Sequence, residues 1–241
     1  MTTRLQTSLA IAASALALVI CTTPVAALAQ TPPEPAATLK PAIHKRTIGI
    51  VLYPGFEVLD VFGPAEMWAN VPDFKVVIIS KTKGLVRSAQ GVNVQADYGF
   101  DDAPKLDVVM IPGGVGTYAA LDDRALLDYL VKADRESEFT TSVCTGSAIL
   151  AKAGILKGHK ATSNKKFFAL AVQQDPSVAW AKNARWVEDG KLMTSSGVST
   201  GTDMALGLVA RIYGPALTKT LAKTLEYQWS EDPNNDPFAI K

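Results

Sequence analysis

Three near-continuous apolar runs, at residues 47–53 (TIGIVLY), 74–80 (FKVVIIS) and 107–111 (DVVMI), set the strongest limit on how this chain folds. A strand with one wet face alternates apolar and polar residues, whereas runs without alternation belong to strands covered on both sides. Segments at helical spacing lie between them. Val58, Val61, Phe62, Ala65 and Trp68 mark a helix over 58–70 despite the internal Gly63-Pro64. Leu126, Leu127, Leu130 and Val131 mark another over 122–135. Strands alternating with helices predict an α/β fold, a mostly parallel sheet with helices on both faces. The rest of the chain predicts a hairpin over 85–96 about Gly91, a helix over 165–174, and a hairpin over 186–193 with Asp189-Gly190 in its turn. Two helices, over 200–213 and 216–229, close it.

In such sheets ligands gather beyond the carboxyl ends of the strands. Three sharp breaks fall there: Tyr53-Pro54-Gly55, Pro112-Gly113-Gly114 and Val143-Cys144. Cys144 closes a β-branched run at 139–143 and opens a small-residue run at 145–151, so it reads as the turn of a strand–turn–helix. At a helix N-terminus the unpaired N–H groups and the positive end of the dipole favour a thiolate. The competing assignment is a small buried hydrophobe, since unpaired cysteine is among the most buried residue types.

The first 29 residues have the form of an export signal. Arg4 precedes an apolar stretch at 9–21, too short to span a membrane, and Ala27-Leu28-Ala29 offers a cleavage site. A lipid anchor on Cys21 is an alternative, although Val19 and Ile20 stand where small residues are wanted. Cleavage before Gln30 predicts a periplasmic or secreted protein with no stable membrane anchor. It removes one arginine and no acid, leaving the basic residues level with the 23 acidic ones. No basic excess remains to suggest nucleic acid. Residues 30–46 hold four prolines and read as a linker, with one folded domain over 47–241. After cleavage Cys144 has no internal disulfide partner, and an unpaired cysteine in an exported protein is either intermolecular or reactive.

Gly113 and Gly114 let backbone N–H groups approach a developing anion. A plain βα turn is the alternative, since neither a P-loop nor the dinucleotide fingerprint is present. The N–H of Thr145 joins that of Gly114 in an oxyanion-type hole, and its hydroxyl either meets substrate or caps the helix. Asp60, one turn into the helix after the first strand, is either a helix-dipole partner or a buried acid beside the thiol. Glu57 is the alternative acid. Thr200 and Asp203 have capping-box spacing, so Asp203 reads as structural. The histidines, His44 and His159, give little support to a Cys–His dyad. With no HExxH, CxxC or acidic ladder, neither a metal nor a cofactor is expected. Phe56, Trp68, Tyr118, Phe167 and Trp180 are candidate pocket walls.

Together, the segments YPGFEVLDVFGP (53–64), IPGG (111–114), VCTGS (143–147), LKGHKAT (156–162) and SSGVSTGTD (195–203) resemble the ThiJ/PfpI superfamily, with its class I glutamine-amidotransferase-like fold. The likeness runs from about Thr47 to Tyr227. The LD…GP and CTG segments are similar to those of the isonitrile hydratase branch, and equally to the amidase-like domains fused to AraC-type regulators. The resemblance implies a flavodoxin-like three-layer sandwich, a homodimer, and Cys144 at a strained nucleophile elbow. It also implies that Asp60 replaces the glutamate of other branches. Protease-like members carry Cys-His-Gly at the elbow, so Thr145 argues against that branch. The family often has a histidine after the Ala-Thr pair, where this chain has Ser163-Asn164.

The chemistry implied is hydration of a small electrophilic isonitrile to an N-substituted formamide. Cys144 attacks the carbon, and Asp60 supplies the proton that traps a thioimidate and then guides water. Gly113, Gly114, Thr145 and Glu57 complete the site in this reading. Two alternatives stand beside it: a glyoxalase- or deglycase-type activity on reactive carbonyls, and a non-catalytic ligand-binding or oxidative-stress protein in which Cys144 becomes a sulfinic acid.

Overall fold

The structure is a computed structural model that describes residues 45–240. The segment read as an export signal, with its expected cleavage site, Cys21, His44 and residues 30–44 of the expected linker lie outside the described residues. The first strand starts at Arg46, one residue earlier than expected. Arg46 already pairs with Phe74, its N–H bonding to the Asp73 carbonyl at 2.8 Å.

The chain alternates as its pattern requires. β1 (Arg46–Leu52), α1 (Val58–Ala69) and β2 (Phe74–Ser80) form the first unit. A small hairpin of β3 (Gly84–Arg87) and β4 (Asn93–Ala96) follows. Next come β5 (Val108–Ile111), the short α2 (Thr117–Ala120), α3 (Arg124–Glu136), β6 (Phe139–Ser142) and α4 (Gly146–Lys152). The strands β7 (Lys160–Ala161) and β8 (Ala179–Trp180) pair around α5 (Phe168–Gln174). The hairpin of β9 (Trp186–Asp189) and β10 (Leu192–Ser195) leads to α6 (Thr200–Tyr213) and α7 (Pro215–Thr224).

The main sheet has the order β2-β1-β5-β6-β10-β9, parallel except for β9 at one edge. Alternate residues of each central strand enter opposite cores, which explains the unbroken apolar runs. Ile48, Ile50 and Leu52 of β1 and Val108 and Met110 of β5 join α1, α6 and α7. Val51 of β1 and Val109 and Ile111 of β5 join α3, α4 and α5. The result is a three-layer sandwich. Each fully buried side chain of this kind contributes about 1.5–3 kcal/mol.

Three elements depart from expectation. Phe62 is 44% exposed, so α1 buries a narrower face through Val61, Met67 and Trp68. α5 begins at Phe168 rather than 165, because the Asn164 side chain accepts the N–H groups of Lys166 and Phe167 and holds a turn there. α7 stops at Thr224, well short of Trp229, and Glu226 takes a positive φ of 51°. The chain then runs back so that Tyr227 and Trp229 bond to Asp203 on α6.

Candidate active site

β6 ends at Ser142 and α4 starts at Gly146, leaving three residues to reverse the chain. Cys144, in the middle, has φ 58°. That left-handed backbone costs a non-glycine residue about 1–2 kcal/mol, so its surroundings must hold it. Its N–H donates to the Ser196 carbonyl at 3.1 Å. Its own carbonyl accepts the hydroxyls of Ser147 (3.2 Å) and Ser163 (3.1 Å). The loop after β5 packs directly on this elbow. A Cβ on Gly113 would lie 2.5 Å from Thr145 N and 2.9 Å from Cys144 Cβ, so only glycine fits there.

Asp60 approaches from α1. It is fully buried, and its Oδ2 accepts the Gly113 N–H at 2.8 Å. Its Oδ1 is buried with no hydrogen-bond partner among the described residues. Burial holds this carboxyl well above the usual carboxylate range; the charge of Glu57 adds to the rise, while the Gly113 N–H and the contact with Cys144 oppose it. Of the two roles open in the sequence, the buried acid beside the thiol is the one the geometry supports. Glu57 is separate: half-buried on the pocket wall, with Oε2 accepting Gln90 Nε2 at 2.6 Å.

The expectation of a thiolate stabilised by the helix dipole is corrected. Cys144 is 5% exposed, and burial pushes its thiol up, with the Asp60 charge pushing the same way. The Thr145 N–H, the Asn164 amide and the Thr145 hydroxyl pull it down, but by less. Helix α4 has seven residues and begins two positions beyond the sulfur, so its field does not outweigh desolvation.

The oxyanion hole is also corrected. The Gly114 N–H donates to Thr145 Oγ1 at 3.1 Å and the Gly113 N–H goes to Asp60, leaving the Thr145 N–H as the backbone donor at the sulfur. The Thr145 hydroxyl does not cap α4. It lies 2.8 Å from Thr117 Oγ1, which lies 3.0 Å from Tyr53 Oη. Tyr53 Oη donates to the Pro112 carbonyl at 2.9 Å, so the chain has one direction: Gly114 to Thr145 to Thr117 to Tyr53 to Pro112.

A pocket of about 190 Å³ opens over the sulfur, walled by Val115, Tyr118, Phe167, Leu170 and Val198, with Glu57 at its edge. Tyr118 and Phe167 are therefore walls as expected. Phe56 and Trp68 lie in the core, and Trp180 packs edge-on against Phe168. Asp203 is structural, but not as a cap: α6 starts after Ser199 with no side-chain cap, and Asp203 is buried against Arg185. His159 pairs with Asp189 at 3.2 Å, away from the pocket. Thr117 carried no signal, and Tyr53 and Asn164 stood out only as part of a strand break and as the place of the family's histidine; their bonds were not readable because partners 20 to 64 residues apart leave no local pattern. Among the described residues no group of three or more His, Cys, Asp or Glu converges as a metal site.

A cysteine elbow at the carboxyl edge of a parallel sheet, backed by a buried acid from the first helix, defines a family. The sequence matches the DJ-1/PfpI family over residues 46–211, and the chain belongs to it. It is 34% identical over 199 residues to an isonitrile hydratase of Pseudomonas putida, covering 80% of this chain and 86% of that one. It is 30% identical to the transcriptional regulator GbdR of Pseudomonas aeruginosa, covering 77% of this chain and 52% of the regulator. A solved ThiJ/PfpI family protein from Pseudomonas syringae superposes with a TM-score of 0.72 at 32% identity, covering 84% of each chain.

Proposed function

We propose that the protein hydrates isonitriles to N-substituted formamides at Cys144. The observation that carries this reading is a pocket-lining thiol coupled to a buried carboxyl with one unpartnered oxygen. An isonitrile needs a sulfur and a proton delivered to the same carbon. Addition of S–H across that carbon forms the C–S and C–H bonds and gives R–N=CH–S–Cys144 with nothing lost. Both groups have raised proton affinity, so the resting pair holds the proton the first step consumes. Asp60 passes it on. Water then adds to the imidate carbon while Asp60 accepts its proton. Asp60 returns that proton to the nitrogen, the C–S bond breaks as the added hydroxyl gives its remaining proton to the sulfur and becomes the carbonyl, and the formamide leaves. The apolar walls suit a small alkyl or aryl substituent. Similarity to the Pseudomonas putida enzyme supports the same assignment.

The test is direct. Purified protein mixed with a simple alkyl isonitrile should release the formamide, and Cys144→Ala should release none above the uncatalysed rate. Formamide production that survives this substitution overturns the proposal.

A further inference from the structure

Asn164 donates its Nδ2 to the Cys144 sulfur at 3.0 Å. Its orientation is fixed locally. Oδ1 accepts the N–H groups of Lys166 (2.9 Å) and Phe167 (3.1 Å), which leaves the amide nitrogen facing the sulfur. The opposing loop makes room for it: a Cβ on Gly197 would lie 1.9 Å from Nδ2 and 2.8 Å from Cγ. The side chain is half-buried and also divides two cavities. It lines the Cys144 pocket and an adjoining open cleft bounded by Leu59, Lys165 and Phe238.

We propose that Asn164 is a catalytic residue whose amide holds the Cys144 sulfur as its negative charge develops, and does so equally at every working pH. The titratable groups near the sulfur are acids: Asp60 from α1, Glu57 just before it, Tyr53 beyond β1 and Tyr118 on α2. The neighbouring cations are engaged elsewhere. Lys165 donates to Thr162 Oγ1 (2.7 Å) and the Ala184 carbonyl (2.6 Å), and Lys166 lies over the Phe167 ring. The donors left to the sulfur are the Thr145 N–H, the Thr145 hydroxyl and the Asn164 amide, and none of them titrates near neutral pH. A charged sulfur gains most from such donors, because hydrogen bonds to ions are roughly twice as strong as neutral ones. The inference rests on Cys144 as nucleophile and not on the identity of its substrate.

Alkylation of the full chain by iodoacetamide across pH 5 to 10 tests it, with circular dichroism confirming the fold of each variant. Asn164→Asp keeps the oxygen that holds the 164–167 turn and deletes the donor. It should slow alkylation at neutral pH by roughly tenfold to a hundredfold. Gly197→Ala displaces the amide without altering Asn164 and should slow it in the same direction. Asn164→His should introduce a titration step near pH 6–7 that the parent lacks. Alkylation of Asn164→Asp at the parent rate, with or without an effect in Asn164→Ala, overturns the inference, since the side chain would then act through the turn alone. If these shifts appear but no isonitrile is hydrated, the substrate assignment fails and the role of Asn164 stands.

Discussion

Asp60 and Cys144 give one substitution two opposite effects. Replacing Asp60 with Asn keeps an acceptor for the Gly113 N–H but removes a charge that pushes the thiol up. Cys144 should therefore alkylate faster at neutral pH, while isonitrile hydration falls by about 10²–10⁴-fold for want of its acid. A stopped-flow alkylation series beside a formamide assay measures both, and parallel changes would contradict the assigned roles. The same carboxyl sets a stability slope. Its folded proton affinity is raised above the ordinary value of 3.8, so the stability it contributes is present below that pH and is lost as pH rises through the folded value. The Tm advantage of Asp60→Asn should accordingly widen as pH rises from 4. Cys144, Asp60 and Gly113 were legible in the sequence because each sits at a strand end or a helix start. The direction of the thiol's shift was not, because desolvation depends on packing that no local pattern records.

At the scale of elements, the site depends on how closely α1 lies on α6. Gly63, one turn beyond Asp60, faces Thr202, and a Cβ there would fall 2.3 Å from Thr202 Oγ1. Gly63→Ala should separate the two helices, lower stability by about 1–3 kcal/mol and reduce turnover as Asp60 shifts. Thermal melts with kinetics check this, and an unchanged melt would show that α1 does not rest on that contact. The strands of the parallel sheet were readable because two-sided burial leaves unbroken apolar runs. The ends of α5 and α7 were not. Asn164 replaces the first turn of α5 with a side-chain bond, and Tyr227 and Trp229, read in the sequence as the last turn of a helix, instead tie the chain back to Asp203.

Across the whole molecule, that tie closes the C-terminal segment over the domain. Asp203 accepts Arg185 Nε at 2.9 Å, the Tyr227 hydroxyl at 3.1 Å and the Ser230 N–H at 3.0 Å, while the Pro233 carbonyl accepts the Arg185 N–H. Asp203→Ala strands a mostly buried guanidinium and should cost about 3–5 kcal/mol, read as a fall in denaturant midpoint. A loss under 1 kcal/mol would mean that water already solvates Arg185 there. The reaction itself is tested most directly at the sulfur. Acid-quenched mass spectrometry of the enzyme during isonitrile turnover should find the Cys144 peptide heavier by the full mass of the isonitrile, because addition of S–H expels nothing. Steady formamide release with that peptide unmodified at every quench time would contradict the account.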